Sequence, residues 1–227
     1  MNGIKFVKYG AVVAAAVLVA ATAKVNAMTV TWGSASTETA VALNGGVLAV
    51  PQGDLVEIGV FKNNMSDAAI TALGVNPTAI QTAFNAWSTD TVGDSTTSAG
   101  AWGDPSSALG AGYFTSNAFI VVFNAATAGA ATQVAVIKGP ATASVGDNWV
   151  FPASDGASGL TFVFDALSAG NVLIGSFESG TFDDSAKDDY FGSGANAVVL
   201  AAVPEPSTYM LVGSGLLGLL ALRRRRS

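Results

Sequence analysis

Phe119-Ile120-Val121-Val122-Phe123 is an unbroken run of aromatic and β-branched residues. Such side chains fit a pleated strand. With no polar residue in alternation, neither face of that strand is suited to water, so the run reads as a central strand covered on both sides. Working outward, short apolar runs alternate with Gly, Asn, Asp and Ser turns. They give candidate strands at Thr29–Trp32, Leu55–Phe61, Ala118–Phe123, Gln133–Lys138, Trp149–Phe151, Leu160–Phe164, Val172–Phe177 and Ala197–Ala202. In Leu55–Phe61, Val56, Ile58 and Val60 share one face and Glu57 lies opposite, which predicts a wet side. Many short strands with tight connections predict an all-β body, an antiparallel sandwich or jelly roll, with Ile120, Val122, Val136 and Phe162 in its core.

One segment departs from the strand pattern. Asn76 before Pro77 has the form of an N-cap followed by proline at the first helical position. Ile80, Phe84 and Trp87 then recur at helical spacing, predicting a short amphipathic helix through about Ala86. Ser66 to Leu73 predicts a further turn or two. Together they form a helical insertion packed on a sheet edge. Thr89 to Gly112, rich in Gly, Ser, Thr and Asp, reads as an irregular surface loop.

Composition removes whole classes of chemistry. The 227 residues include no Cys and no His, so disulfides, thiol nucleophiles, Ser-His-Asp triads and histidine-dependent zinc sites are all impossible. The formal charge of -6 is unevenly placed. Only Lys62, Lys138 and Lys187 lie between Met28 and Val203, whereas every acidic residue except Glu205 lies there. A body that acidic is repelled by phosphate backbones, so nucleic acid is not an expected partner.

The ends carry the strongest signals. Lys5 and Lys8 precede an apolar run from Ala11 to Ala23, and Val25-Asn26-Ala27 supplies the small residues that signal peptidase reads. This is the pattern of a secretory signal peptide, 1–27, with an apolar signal helix and cleavage after Ala27. At the other end stand Val203-Pro204-Glu205-Pro206-Ser207-Thr208-Tyr209, an apolar stretch to Leu222, and Arg223, Arg224, Arg225 and Arg226. Sixteen residues from Ser207 to Leu222 would span roughly 24 Å as a helix, a short transmembrane helix against a hydrocarbon core of about 30 Å. The arginines should stay cytoplasmic and leave the body outside the inner membrane.

The ordered trio of Pro204-Glu205-Pro206, apolar segment and Arg223 to Arg226 resembles the PEP-CTERM sorting domain of Gram-negative bacteria. The resemblance implies recognition of Pro204, Glu205 and Pro206 by exosortase, a membrane transpeptidase-like enzyme, with Arg223 to Arg226 as the cytoplasmic stop signal. It further implies an inner-membrane intermediate, then release to the cell surface or an exopolysaccharide matrix. The chain thus divides into the signal peptide, a β-rich extracellular body at 28–202 and the sorting signal at 203–227.

Within the body, Asp183, Asp184, Asp188 and Asp189 form the densest polar cluster. Calcium would relieve their repulsion, but Lys187 interrupts the charge and the spacing is not that of an EF-hand, so a solvated acidic loop is the simpler reading. No other metal or cofactor is expected. Glu57 and Glu178 are the carboxylates a glycoside hydrolase would need, with nothing to show that they converge. Trp32, Trp87, Trp102 and Trp149 offer either a sugar-stacking platform or core and loop anchors. Asn64-Met65-Ser66 matches a glycosylation sequon, of little weight in a bacterium. The expected function is a non-enzymatic structural or adhesive surface protein. The alternatives are a secreted carbohydrate-binding module and, below that, a carboxylate-dependent glycoside hydrolase.

Overall fold

A computed structural model describes residues 30–33, 39–45, 48–93, 102–105, 109–140, 149–153, 160–163, 167–180 and 195–204. Twelve strands occur among them: β1 Val30–Gly33, β2 Thr39–Ala42, β3 Leu55–Phe61, β4 Phe84–Thr91, β5 Gly103–Pro105, β6 Phe119–Phe123, β7 Gln133–Lys138, β8 Leu160–Val163, β9 Val172–Ile174, β10 Ser176–Gly180, β11 Ala195–Val199 and β12 Ala201–Ala202. Two short helices, α1 Asp67–Thr71 and α2 Pro77–Ala83, lie between β3 and β4.

The largest sheet runs β12-β7-β6-β3-β4, with β9 also paired to β7. Two three-stranded sheets, β5-β1-β8 and β10-β11-β2, complete the body. The large sheet is antiparallel throughout. Each small sheet holds one parallel pair, β1 with β8 and β2 with β11, so the expected wholly antiparallel sandwich is corrected at those two seams. Parallel neighbours need a long connection between them, which is why adjacent sequence gave no hint of either.

The central strand is covered on both sides, as its composition demands. On one side Ile120 and Val122 pack with Val56, Ile58 and Ile137 of the large sheet and with Trp32, Val41, Phe162 and Val198 of the small ones. On the other, Phe119, Val121 and Phe123 meet Ile70 of α1, Ile80 of α2, Phe84 and Ile174. Ile120, Val122, Val136 and Phe162 are all fully buried, but Val136 lies in the second cluster, on the opposite face of the large sheet from the other three.

The helices roof that second face, which corrects two expectations. Glu57 is only 5% exposed, so β3 has no wet side. The alternation of β3 is real, but its polar position points into the helical layer. Helix α2 also stops at Ala83, before Phe84, whose backbone is extended and opens β4. Trp87 therefore stands on a strand. Ladder pairing with β3 outweighs the local helical spacing. Gly59 permits the close fit at the register shift in this pairing, since a Cβ there would meet the Asn85 carbonyl at 2.2 Å.

Other boundaries move for physical reasons. The run Val172–Phe177 is two strands, β9 on β7 and β10 on β11, divided at Gly175, whose φ is +107°. Ala197–Ala202 also changes sheets, with Leu200 between β11 and β12. Val150 makes a single bridge to Asn117 in place of the strand expected at Trp149–Phe151. The expected loop Thr89 to Gly112 contains the end of β4, strand β5 and the buried Trp102. Among the described residues no helix is long and apolar enough to cross a membrane; the expected signal and tail helices lie outside them.

Candidate sorting tail and groove

The chain leaves the body along a well-held path. Leu200 is buried and its amide donates to the Ala42 carbonyl at 2.9 Å. Ala201 and Ala202 pair with Val134 and Gln133, and the Val203 amide donates to Thr132 at 2.7 Å. Pro204 follows, exposed. It has no amide proton, so the ladder cannot continue through it. Glu205, Pro206, Arg223 to Arg226, Ala27 and the acidic cluster Asp183, Asp184, Asp188 and Asp189 lie outside the described residues.

A groove opens at one end of the large sheet, between the turn after β3 and the segment leading into β6. Its larger part, about 480 Å³, is lined by Asn64, Met65, Ser66 and Asp67 on one wall and Phe114, Thr115, Ser116 and Asn117 on the other, over Phe61 and Phe119. A neighbouring part of about 270 Å³ shares Asp67, Asn117 and Phe119 and extends to Lys138, Pro140 and Trp149. Lys138 and Asp67 form an ion pair where the two parts meet.

The backbone here is strained. Among the described residues, four other than glycine have positive φ: Asn63 at 57°, Asn64 at 49°, Thr115 at 58° and Trp149 at 42°. Asn64, Thr115 and Trp149 line the groove, and Asn63 adjoins it. Asparagine tolerates this region, whereas a β-branched threonine or bulky tryptophan is disfavoured there. Hydrogen bonds hold the outliers in place. The Thr115 amide donates to the carbonyls of Phe151 and Pro152, Phe151 donates to Ser116, and Ala118 donates to Trp149. The Tyr113 hydroxyl also donates to Ala86 at 2.7 Å.

The remaining candidates do not form a site. Glu57 is buried beneath α2 in the large sheet, whereas Glu178 is exposed on β10 of a small sheet and accepts from the Ser176 hydroxyl. Burial raises the pKa of Glu57 against the opposing effect of its bond from Gln81. Asp54, also buried, is pushed up to about 6 by desolvation. Among the described residues no three acids are grouped to hold a metal. Trp32, Trp102 and Trp149 are buried anchors and Trp87 packs edge-on against Phe151, so the four rings make no shared platform. The sequon residue Asn64 is exposed on the groove wall. Sequence reasoning missed Phe114 to Asn117; the usable signal was a Thr-Ser-Asn run directly before the most buried strand.

A model of the PEP-CTERM protein-sorting motif matches residues 202–226. The match begins inside β12, so the fold and the sorting segment overlap at Ala202. No curated protein and no solved structure matches the chain.

Proposed function

We propose that the body works at the cell surface or in the extracellular matrix of a Gram-negative bacterium, as a structural or adhesive element without catalytic chemistry. The motif at 202–226 marks an exported protein targeted to exosortase, and this observation carries the reading. The N-terminal signal, cut by signal peptidase after Ala27, would deliver the chain to the inner membrane, where the tail pauses it for processing. A body without His or Cys, in which Glu57 and Glu178 are on different sheets, supports a non-enzymatic role.

Replacing Pro204, Glu205 and Pro206 together by Ala tests the reading. The variant should remain in the inner-membrane fraction with its arginine tail intact, while the parent reaches the surface without it. Unchanged surface delivery would reduce the tripeptide to a linker. A carbohydrate-binding role is the second reading, and the groove favours it over an inert wall.

A further inference from the structure

We infer that the groove holds a segment of uncharged polysaccharide. The inference rests on the surface-protein reading and names the ligand such a protein would engage. Charge is the first discriminator. Among the described residues, Asp67 and Lys138 are the charged side chains lining either part, and they neutralise each other. The described lining therefore has no net charge with which to select an anion or a cation. The rest of the polar lining is Asn64, Ser66, Thr115, Ser116 and Asn117. The Thr115 and Ser116 hydroxyls donate to the Phe114 carbonyl and keep lone pairs to accept from a sugar hydroxyl, while the Asn64 and Asn117 side-chain amides carry donors as well as acceptors. Phe114, half-buried, offers apolar surface for the C–H face of a sugar ring, above Phe61 and Phe119, which are themselves buried in the core.

An extended peptide is a poorer fit. Strand addition needs a row of free backbone groups, and those on this wall are committed: the amides of Thr115, Ser116 and Ala118 all donate within the body, and the Ser116 carbonyl accepts from Phe151. Recognition falls to side chains. Strain gives the second argument. Residues in sparsely populated backbone regions are costly to hold and concentrate where a fixed geometry serves a function. Here all four non-glycine outliers among the described residues flank one groove. They fix its walls before any ligand arrives, which lowers the ordering cost of binding.

The test is affinity electrophoresis of the full chain in a zwitterionic detergent that carries no sugar. The gels contain dextran, a β-glucan or a galactomannan, beside alginate as the anionic comparison, and a peptide array is run in parallel. At least one neutral polysaccharide should retard the protein. Phe114→Ala and Asn117→Ala should each weaken retardation about tenfold, with circular dichroism like the parent's. Retardation by alginate alone, capture by peptides alone, or no retardation in any neutral gel would overturn the inference, as would neutral binding indifferent to both variants. Surface fractionation tests the sorting reading separately: a delivered protein that binds no glycan sinks only this inference, and a glycan binder that is never delivered sinks only the other.

Discussion

Gln81 Nε2 donates to Glu57 Oε1 at 3.1 Å, joining α2 to the strand beneath it, while Glu57 Oε2 and Gln81 Oε1 are both buried without a partner. Two acceptors left over beside one amide bond are the signature of a group that gains by carrying a proton. A neutral carboxyl could return a hydrogen bond to the amide; a carboxylate cannot. Desolvation raises the Glu57 pKa in the same sense. The folded state therefore binds this proton more tightly than the unfolded chain. The resulting stabilisation is complete below the unfolded pKa and is lost as pH rises through the folded value.

Glu57→Gln should accordingly be stabilising where Glu57 is ionised. The new amide can donate to Gln81 Oε1, satisfying a buried acceptor worth about 1 kcal/mol. Thermal melts should show the variant's Tm advantage growing from pH 4 to pH 8. A variant less stable than the parent at pH 8 would show that the ionised carboxylate has a stabilising partner.

Asp54 gives a sharper pH window. Its Oδ2 is buried without a partner and its pKa rises from 3.8 to about 6. Its protonation stabilises the fold fully below about pH 4, and that contribution disappears as pH rises through about 6. Asp54→Asn should match the parent near pH 4 and melt higher at pH 8. Parallel Tm curves across that range would place Asp54 in a solvated setting.

The legible part of the fold is the part set by local chemistry. Phe119–Phe123 could only be a doubly covered strand, and Asn76-Pro77 starts α2, with the Asn76 side chain accepting from the Ala79 amide. What failed was decided at a distance. Phe84 and Trp87 continue the spacing of Ile80, yet Phe84 pairs with Phe61. Glu57 looks solvated in β3 until α2 closes over it. The tail was readable because a sorting enzyme must read sequence too. The groove was not, because its two walls are about fifty residues apart and meet only once β3 and β6 pair.

Gly139 is set by packing that no local pattern reveals. A Cβ on it would meet the Trp149 Cβ at 2.4 Å, and Trp149 is fully buried. Gly139→Ala must move either the end of β7 or an indole in the core, which should cost about 1–3 kcal/mol. Gly129 has open space around its Cβ position and serves as the comparison. Chemical denaturation should show a large loss for Gly139→Ala and a small one for Gly129→Ala. Equal losses would mean the core gives way around Trp149.

Processing should be sensitive to how tightly β12 is held. The Val203 amide still bonds Thr132, and the Pro204-Glu205-Pro206 tripeptide of the matched motif starts at the next residue. From Val203 to Tyr209, where the apolar stretch starts, the extended chain reaches only about 20 Å. An enzyme in the membrane must therefore work against the folded body or draw β12 off β7. Drawing it off is the easier course, because a two-residue strand has few bonds to break and belongs to the low-stability end of the structure. The register allows a direct test. Ala202 stands opposite Gln133, and the bond at Val203–Thr132 makes this neighbouring pair the closely spaced, non-hydrogen-bonded kind. Such spacing suits a disulfide, and the chain has no other Cys to confuse the pairing. Cells expressing the double variant Ala202→Cys, Gln133→Cys should accumulate full-length precursor under oxidising conditions and process it once a reductant is added. A six-residue Gly-Ser insertion between Val203 and Pro204 should restore processing with the disulfide intact, since the tripeptide then reaches the enzyme without disturbing the sheet. Pulse-chase labelling reads all three rates. If the oxidised double variant is processed as fast as the parent, the enzyme accepts the body with β12 in place.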